Sequence, residues 1–181
     1  MNNRIVKSVQ GSFHQGNLKF GYSAGIQCSC NSLFSVYWSK VRKLNIWKQT
    51  DLDYILEKGN DIFKAQNKHR MLYVDEIPDS FLIEGREIQI EKLRIVDGEF
   101  IPSNVDNKFV NFVDLDYVQE SNSTGIVMFM GRPYEMCMSI NFDSTENLFL
   151  FDSHSRGQLG EHIPEGLIPS ILTVVYFFYS H

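Results

Sequence analysis

The sequence predicts an α+β fold in which a helix near the N-terminus packs on an antiparallel sheet. Three features carry that expectation. Leu33, Tyr37, Val41 and Leu44 recur at spacings of four, four and three residues, the period of a helix with one apolar face. Three apolar runs, Ile126 to Met130, Tyr134 to Phe142 and Leu148 to Phe151, crowd into the last third of the chain. The turn-formers Gly131-Arg132-Pro133 and Asp143-Ser144-Thr145-Glu146 join them closely enough to make an antiparallel meander. Helical and strand periods segregated along one chain are the mark of α+β rather than alternating α/β.

The elements follow in order. Residues 11 to 27 hold Gly11, Gly16, Gly21 and Gly25 without a regular apolar repeat, which predicts irregular backbone suited to close approach. The first helix then starts at or beside Cys28, with Phe34 and Trp38 flanking its buried stripe. A second helix is expected over about 51 to 66, where Leu52, Ile55, Leu56, Ile62 and Phe63 keep helical spacing. Thr50 or Asp51 is placed to cap it, and Gly59 weakens it. Residues 71 to 101 read as one or more strands of unassigned register, 104 to 107 as a loop, and 109 to 119 as a short helix or strand. Along Tyr134 to Phe142, apolar Met136, Met138 and Ile140 alternate with Cys137, Ser139 and Asn141, which predicts one drier face. A last strand, Leu172 to Tyr179, is too apolar to be a tail.

Length and composition bound the function. At 181 residues the chain suits a single domain over 1–181, able to bury its own core. Hydrophobic residues are 43% and charged residues 22%, ordinary globular values, while 14 Phe and 8 Tyr make it aromatic-rich. A net charge of -5 argues against nucleic acid, which is held by clustered Lys and Arg. Cys28, Cys30 and Cys137 form neither a metal knuckle nor a disulfide framework, so they are expected as free thiols in a reducing compartment, the cytoplasm or nucleus. His69, His162 and His181 have no companions at ligand spacing, so neither a metal nor another cofactor is expected. The first residues lack the apolar run of a signal peptide, and no stretch approaches a membrane span.

Two segments carry chemistry: Gly25-Ile26-Gln27-Cys28 at the mouth of the first helix, and Asp152-Ser153-His154-Ser155-Arg156-Gly157 after a core strand. A cysteine at a helix N-terminus meets unpaired N–H groups and the positive dipole end, which favour the thiolate. Cys30 competes, but two residues along a helix is about 200° of rotation, so one cysteine at most faces a given base. Cys28, nearer the start and after a glycine-bearing loop, is favoured. Asp152 and His154 lie two apart, so on a strand a carboxylate would reach the imidazole and fix its tautomer, giving nucleophile, base and orienter. The competing reading is an Asx-type turn that merely ends the strand and leaves His154 exposed. Gln15 is a fourth candidate, a side-chain amide available to a developing oxyanion, and His14 beside it lacks an acid partner.

Gln15, the Gly25 to Cys28 run and Asp152-Ser153-His154-Ser155-Arg156 together resemble the deubiquitinase domain of herpesvirus large tegument proteins. The resemblance implies a papain-like thiol protease, with Cys28 attacking, His154 as base, Asp152 orienting it and Gln15 in the oxyanion hole. It implies ubiquitin or polyubiquitin as substrate, no metal, a monomer, and a place in the reducing interior of a cell, into which the protein would be delivered if it comes from outside. Acidic Asp75, Glu76, Glu84 and Glu87 are then candidates for the arginines of the ubiquitin tail. The rivals are a papain-like protease for a ubiquitin-like modifier or ordinary peptide, and an inactive ubiquitin-binding module.

Overall fold

The computed structural model describes residues 7–91, 125–129, 136–142, 148–154 and 174–178. Two helices pack beside an antiparallel sheet, as the periodicities predict. The elements are β1 (Lys7–Gln10), α1 (Cys28–Val41), α2 (Gln49–Ala65), β2 (Ser80–Ile83), β3 (Arg86–Gln89), β4 (Gly125–Phe129), β5 (Met136–Phe142), β6 (Leu148–Asp152) and β7 (Val174–Phe178). Strands β4, β5 and β6 form the expected meander, and the last strand β7 lies against β6. On its other side β7 pairs with β1, giving the order β1-β7-β6-β5-β4. Sequence periodicity did not mark β1, because four residues before a glycine are too few to show a period of two.

Helix α1 is buried all round its first half, Cys28 to Ser35, and emerges toward its end, where Val41 is 55% exposed rather than part of the core. Cys30, Leu33 and Phe34 join Leu52, Ile55, Leu56 and Phe63 of α2 in the main core, with Phe149 and Phe151 of β6. Phe34 is its hub, touching Tyr37, Trp38, Tyr54 and Phe81 with ring centroids 5.4 to 6.3 Å apart. The two helices approach closely at Gly59. A Cβ there would stand 2.7 Å from Asn31 Cα and 2.9 Å from Asn31 N, so the glycine that weakens α2 locally is what lets α1 cross it. Helix α2 starts at Gln49, before the expected cap, and Asp51 acts from inside its first turn, accepting from the Lys48 N–H at 2.8 Å. The buried Asp51 carboxylate also accepts from Trp38 Nε1 at 3.1 Å and pairs with Arg42, so it fastens the end of α1 to the start of α2.

The alternation along β5 does not separate a dry face from a wet one. Cys137, Ser139 and Asn141 are as deeply buried as Met138 and Ile140. The small polar face is the one α1 packs on: Ser35 Oγ is hydrogen-bonded to Ser139 Oγ, and Ser32 lies against Cys137. Small side chains on both elements let helix and sheet come together, and the Ser35 and Ser139 hydroxyls satisfy one another. Of the stretch read as strands, Ser80 to Gln89 forms a hairpin, its tight turn made by Glu84 (φ 50°) and Gly85 (φ 78°). Residues 92–124, which include the expected loop and the ambiguous segment 109 to 119, lie outside the described residues.

The crossing at Gly59 generates a test. Gly59→Ala should lower stability by about 1–3 kcal/mol through overpacking against Asn31, read as a lower urea midpoint. An open site would instead gain up to about 1 kcal/mol from helix propensity, and a raised midpoint would contradict the close approach.

Candidate active site

Cys28 is the first residue of α1, and its sulfur is buried. Gln27 makes no side-chain capping bond and the first turn holds no acidic residue, so the unpaired N–H groups and the positive end of the helix are left to the thiol. The loop before it turns at Gly25, whose φ of +83° suits only glycine comfortably.

Gln15 fixes that loop. The Gly25 N–H donates to the Gln15 carbonyl at 3.0 Å, and Gln15 Nε2 donates to the Gly25 carbonyl at 3.4 Å. On its other side Gln15 grips the end of β6: its backbone N–H donates to the Ser153 carbonyl at 3.0 Å, and Ser153 Oγ donates to Gln15 Oε1 at 3.0 Å. One residue thus holds the strand end and the nucleophile loop together. Ser153, fully buried, had no signal in the sequence beyond its place between Asp152 and His154.

Asp152 and His154 come together through a turn, not through strand alternation. β6 ends at Asp152, and Asp152 Oδ1 accepts from the His154 backbone N–H at 3.0 Å, which is an Asx turn. The same oxygen lies 2.6 Å from His154 Nδ1. The turn and the carboxylate–imidazole pair are therefore one arrangement, and the imidazole is largely enclosed instead of exposed. With Nδ1 engaged, Nε2 is the nitrogen left for a second partner. The structure brings the Cys28 side chain close enough to His154 to act on its titration. Burial, the largest influence, disfavours the imidazolium. The hydrogen bond that Nδ1–H donates to Asp152, the nearby Cys28 side chain and the charges of both outweigh it and push the His154 pKa up to about 10.

The other thiols are placed differently. Cys30 faces the main core, and burial, with a smaller contribution from the Cys28 charge, pushes it up to about 12. Burial likewise raises Cys137 well above the usual thiol range. Neither supplies a thiolate near neutral pH. His14 accepts the Gly16 N–H at 3.1 Å within its own turn, and His69 packs on Tyr22 with ring centroids 5.3 Å apart. His162 and His181 lie outside the described residues.

Two of the acidic candidates are occupied. Glu76 binds Arg70 at 2.6 Å and Lys68 at 3.0 Å, and Glu87 accepts from Ser80 Oγ at 2.8 Å. Sequence reasoning missed Met71, whose Sδ lies 3.1 Å from Cys28 Sγ. It falls in a stretch without legible period, so nothing in the sequence placed it at the thiol. Among the described residues, no group of three or more His, Cys, Asp or Glu side chains gathers in a metal-binding arrangement, and no helix is long and apolar enough to cross a membrane.

The profile of the family described as the herpesvirus tegument protein, N-terminal conserved region, matches residues 10–168. The fold, papain-like and α+β, is similar to that of the ubiquitin-specific protease encoded by murine cytomegalovirus tegument protein M48, solved in complex with a ubiquitin-based suicide substrate. That likeness has a TM-score of 0.65 at 15% identity and covers 97% of this chain and 75% of that one. No curated protein sequence matches this one.

The pairing of His154 with Asp152 is open to direct titration. The His154 ring should titrate near about 10 by NMR, and Asp152→Asn should bring it down. Because the folded value lies above the unfolded one, the imidazolium stabilises the fold fully below pH 6.5 and loses that contribution as pH rises through about 10. A ring titrating at or below 6.5 in the folded protein would contradict the arrangement.

Proposed function

Since the chain belongs to the family of the herpesvirus tegument protein N-terminal conserved region, we propose that it is a thiol-dependent deubiquitinase that cleaves after the C-terminal glycine of ubiquitin. What supports the proposal is the juxtaposition of a helix-leading thiol, Cys28, with an imidazole that is in turn held by a carboxylate. A raised His154 keeps the imidazole protonated near neutral pH, a proton donor ready beside the nucleophile.

The steps follow from those roles. Cys28 Sγ⁻ attacks the carbonyl carbon, and the oxyanion that forms lies near the N–H groups at the start of α1 and the Gln15 amide. Gln15 Nε2 gives one hydrogen to the Gly25 carbonyl, leaving the other for the oxyanion. His154 Nε2–H protonates the departing lysine amine as the C–N bond breaks and the thioester remains. The imidazole, now neutral, takes a proton from water as hydroxide attacks the thioester, and collapse releases the ubiquitin carboxylate and restores the pair. Throughout, Asp152 keeps Nδ1 engaged. Of the acidic candidates for the substrate's arginines, Asp75 and Glu84 are the ones not already matched to a cation or hydroxyl by Glu76's and Glu87's bonds. We place the activity in one domain acting as a monomer in a reducing compartment, where its three free thiols would persist.

An electrophilic ubiquitin probe followed by mapping of the modified residue tests the proposal. The adduct should form on Cys28, vanish in Cys28→Ala and survive in Cys30→Ala. Gln15→Ala should lower kcat/KM on diubiquitin by about 10²-fold as one oxyanion donor is lost. An adduct on Cys30, or turnover retained by Cys28→Ala, would overturn the assignment. Equal labelling by probes ending in other modifier tails would instead move the substrate away from ubiquitin, and no adduct with any probe would leave a binding module.

A further inference from the structure

A nucleophile that must meet a polypeptide carbonyl is closed off in this protein, since Cys28 is 1% exposed. Beside His154, two buried apolar side chains pack on it among the described residues: Cys137, from the sheet behind, and Met71. Met71 belongs to no strand or helix. It sits on the short crossing from α2 to β2, with its Sδ 3.1 Å from Cys28 Sγ and its own side chain nearly buried.

The crossing is held from its far side. Glu76 accepts from Arg70 Nη1 at 2.6 Å and Nη2 at 2.7 Å, from Lys68 Nζ at 3.0 Å and from the Tyr73 N–H at 3.0 Å. The same guanidinium donates to the Met71 carbonyl at 3.0 Å and lies over the Tyr73 ring at 4.3 Å. Next along, Leu72 is anchored in the main core. The backbone of residues 70–76 is thus closed into a clasp by one carboxylate, whose pKa the Arg70 hydrogen bond, helped by Tyr73 and Lys68, lowers to about 2. The Glu76 carboxylate is therefore ionised near neutral pH, as the clasp requires.

The two ends of Met71 are therefore held unequally. Its main chain is pinned by charge-assisted bonds, whereas its side chain meets the thiol only through a soft thioether, a weak acceptor on an unbranched stem with three rotors. Swinging that side chain away breaks no strong hydrogen bond. We propose that Met71 is a displaceable cover on Cys28, positioned by the Arg70–Glu76–Lys68 clasp, and that it sets which electrophiles reach the thiol. A segment that brings main chain or apolar surface to the site displaces the thioether, and a small solute that offers neither meets a closed thiol. The inference deepens the proposed function by rationing access to its nucleophile, but it stands on geometry that small reagents can probe.

The test measures second-order alkylation of Cys28 in the full chain, with the site mapped by mass spectrometry. Two neutral reagents are compared: iodoacetamide, where Sγ displaces iodide from carbon, and a bulky maleimide, where Sγ adds to the double bond. Met71→Ala should speed iodoacetamide about 10-fold, because the apparent rate of a small reagent scales with the fraction of molecules whose thiol is open, and the maleimide more, because the wider reagent also needs the room that the thioether fills. Met71→Leu, which refills the space, should stay within about twofold of the parent, and Glu76→Gln, which loosens the clasp, should gain about threefold. Unchanged rates in Met71→Ala would overturn the proposal, and so would equal gains for both reagents, which report a changed thiolate population instead of access. Should Met71→Ala lose its folded circular dichroism, Glu76→Gln carries the test, and a parental rate there overturns it. Faster alkylation with no ubiquitin cleavage by any variant would sink the deubiquitinase proposal and leave the cover intact.

Discussion

The site depends on Gln15 being bonded to Ser153 across 138 residues of sequence. The join is made twice, main chain to main chain and side chain to side chain, and Gln15 gives its carbonyl and one Nε2 hydrogen to Gly25. Asp152 and His154 flank one anchor and Cys28 follows three residues after the other, so their separation is set by a few short bonds instead of the long chain between them. Such polar groups, buried away from water, must be paired correctly or cost about 1–3 kcal/mol each. A misplaced strand end is thereby penalised. The strands deliver the partners: β1 pairs with β7 and β7 with β6, which brings the segment after β1 to the end of β6. Closing so long a loop is costly in entropy but only weakly length-dependent, and the ladder of β1, β7 and β6 supplies what offsets it.

The second constraint is how near α1 may come to the sheet. Ser32 and Ser35, one helical turn apart on the face that continues from Cys28, meet Cys137 and Ser139 on β5. Large side chains there would lift the helix and carry the thiol away from His154. On the opposite side Asn31 packs on the bare backbone of Gly59. Helix α1 is therefore squeezed between two surfaces of small residues, and its N-terminus has little room to shift. The cost is a helix whose first half buries several hydroxyls and amides, some of them without a hydrogen-bond partner.

Much of this was legible in the sequence. Helix α1, helix α2 and the meander follow from apolar spacing, since each must bury one face. The start of α1 at Cys28 follows from the glycine-bearing loop before it. Other features were not legible, for identifiable reasons. The small polar residues of β5 looked like a wet face because hydropathy alone does not say what covers them. Asp152 and His154 were rightly paired for the wrong geometric reason, as the chain bends after β6 and an Asx turn does what strand alternation was expected to do. Gln15 was picked out as an amide donor, but its structural grip on Ser153 depends on a strand pairing that no local pattern encodes. Met71 was invisible, because a methionine in an aperiodic stretch looks the same over a thiol as over a leucine.

The arrangement separates two requirements that pull against each other. Exclusion of water costs a charged site solvation, but the attraction and the hydrogen bonds that hold its groups strengthen as the local dielectric falls. A protease nucleophile must nonetheless be reached by a bulky substrate. Burying Cys28 under backbone would satisfy the first and forbid the second. A thioether satisfies both, since it excludes water while in place and holds its position by dispersion and a weak contact. Rigid parts, namely the Gln15 staple, the Asp152 turn and the Glu76 clasp, fix everything that has to be positioned, and the softest side chain in the neighbourhood is left where motion is needed.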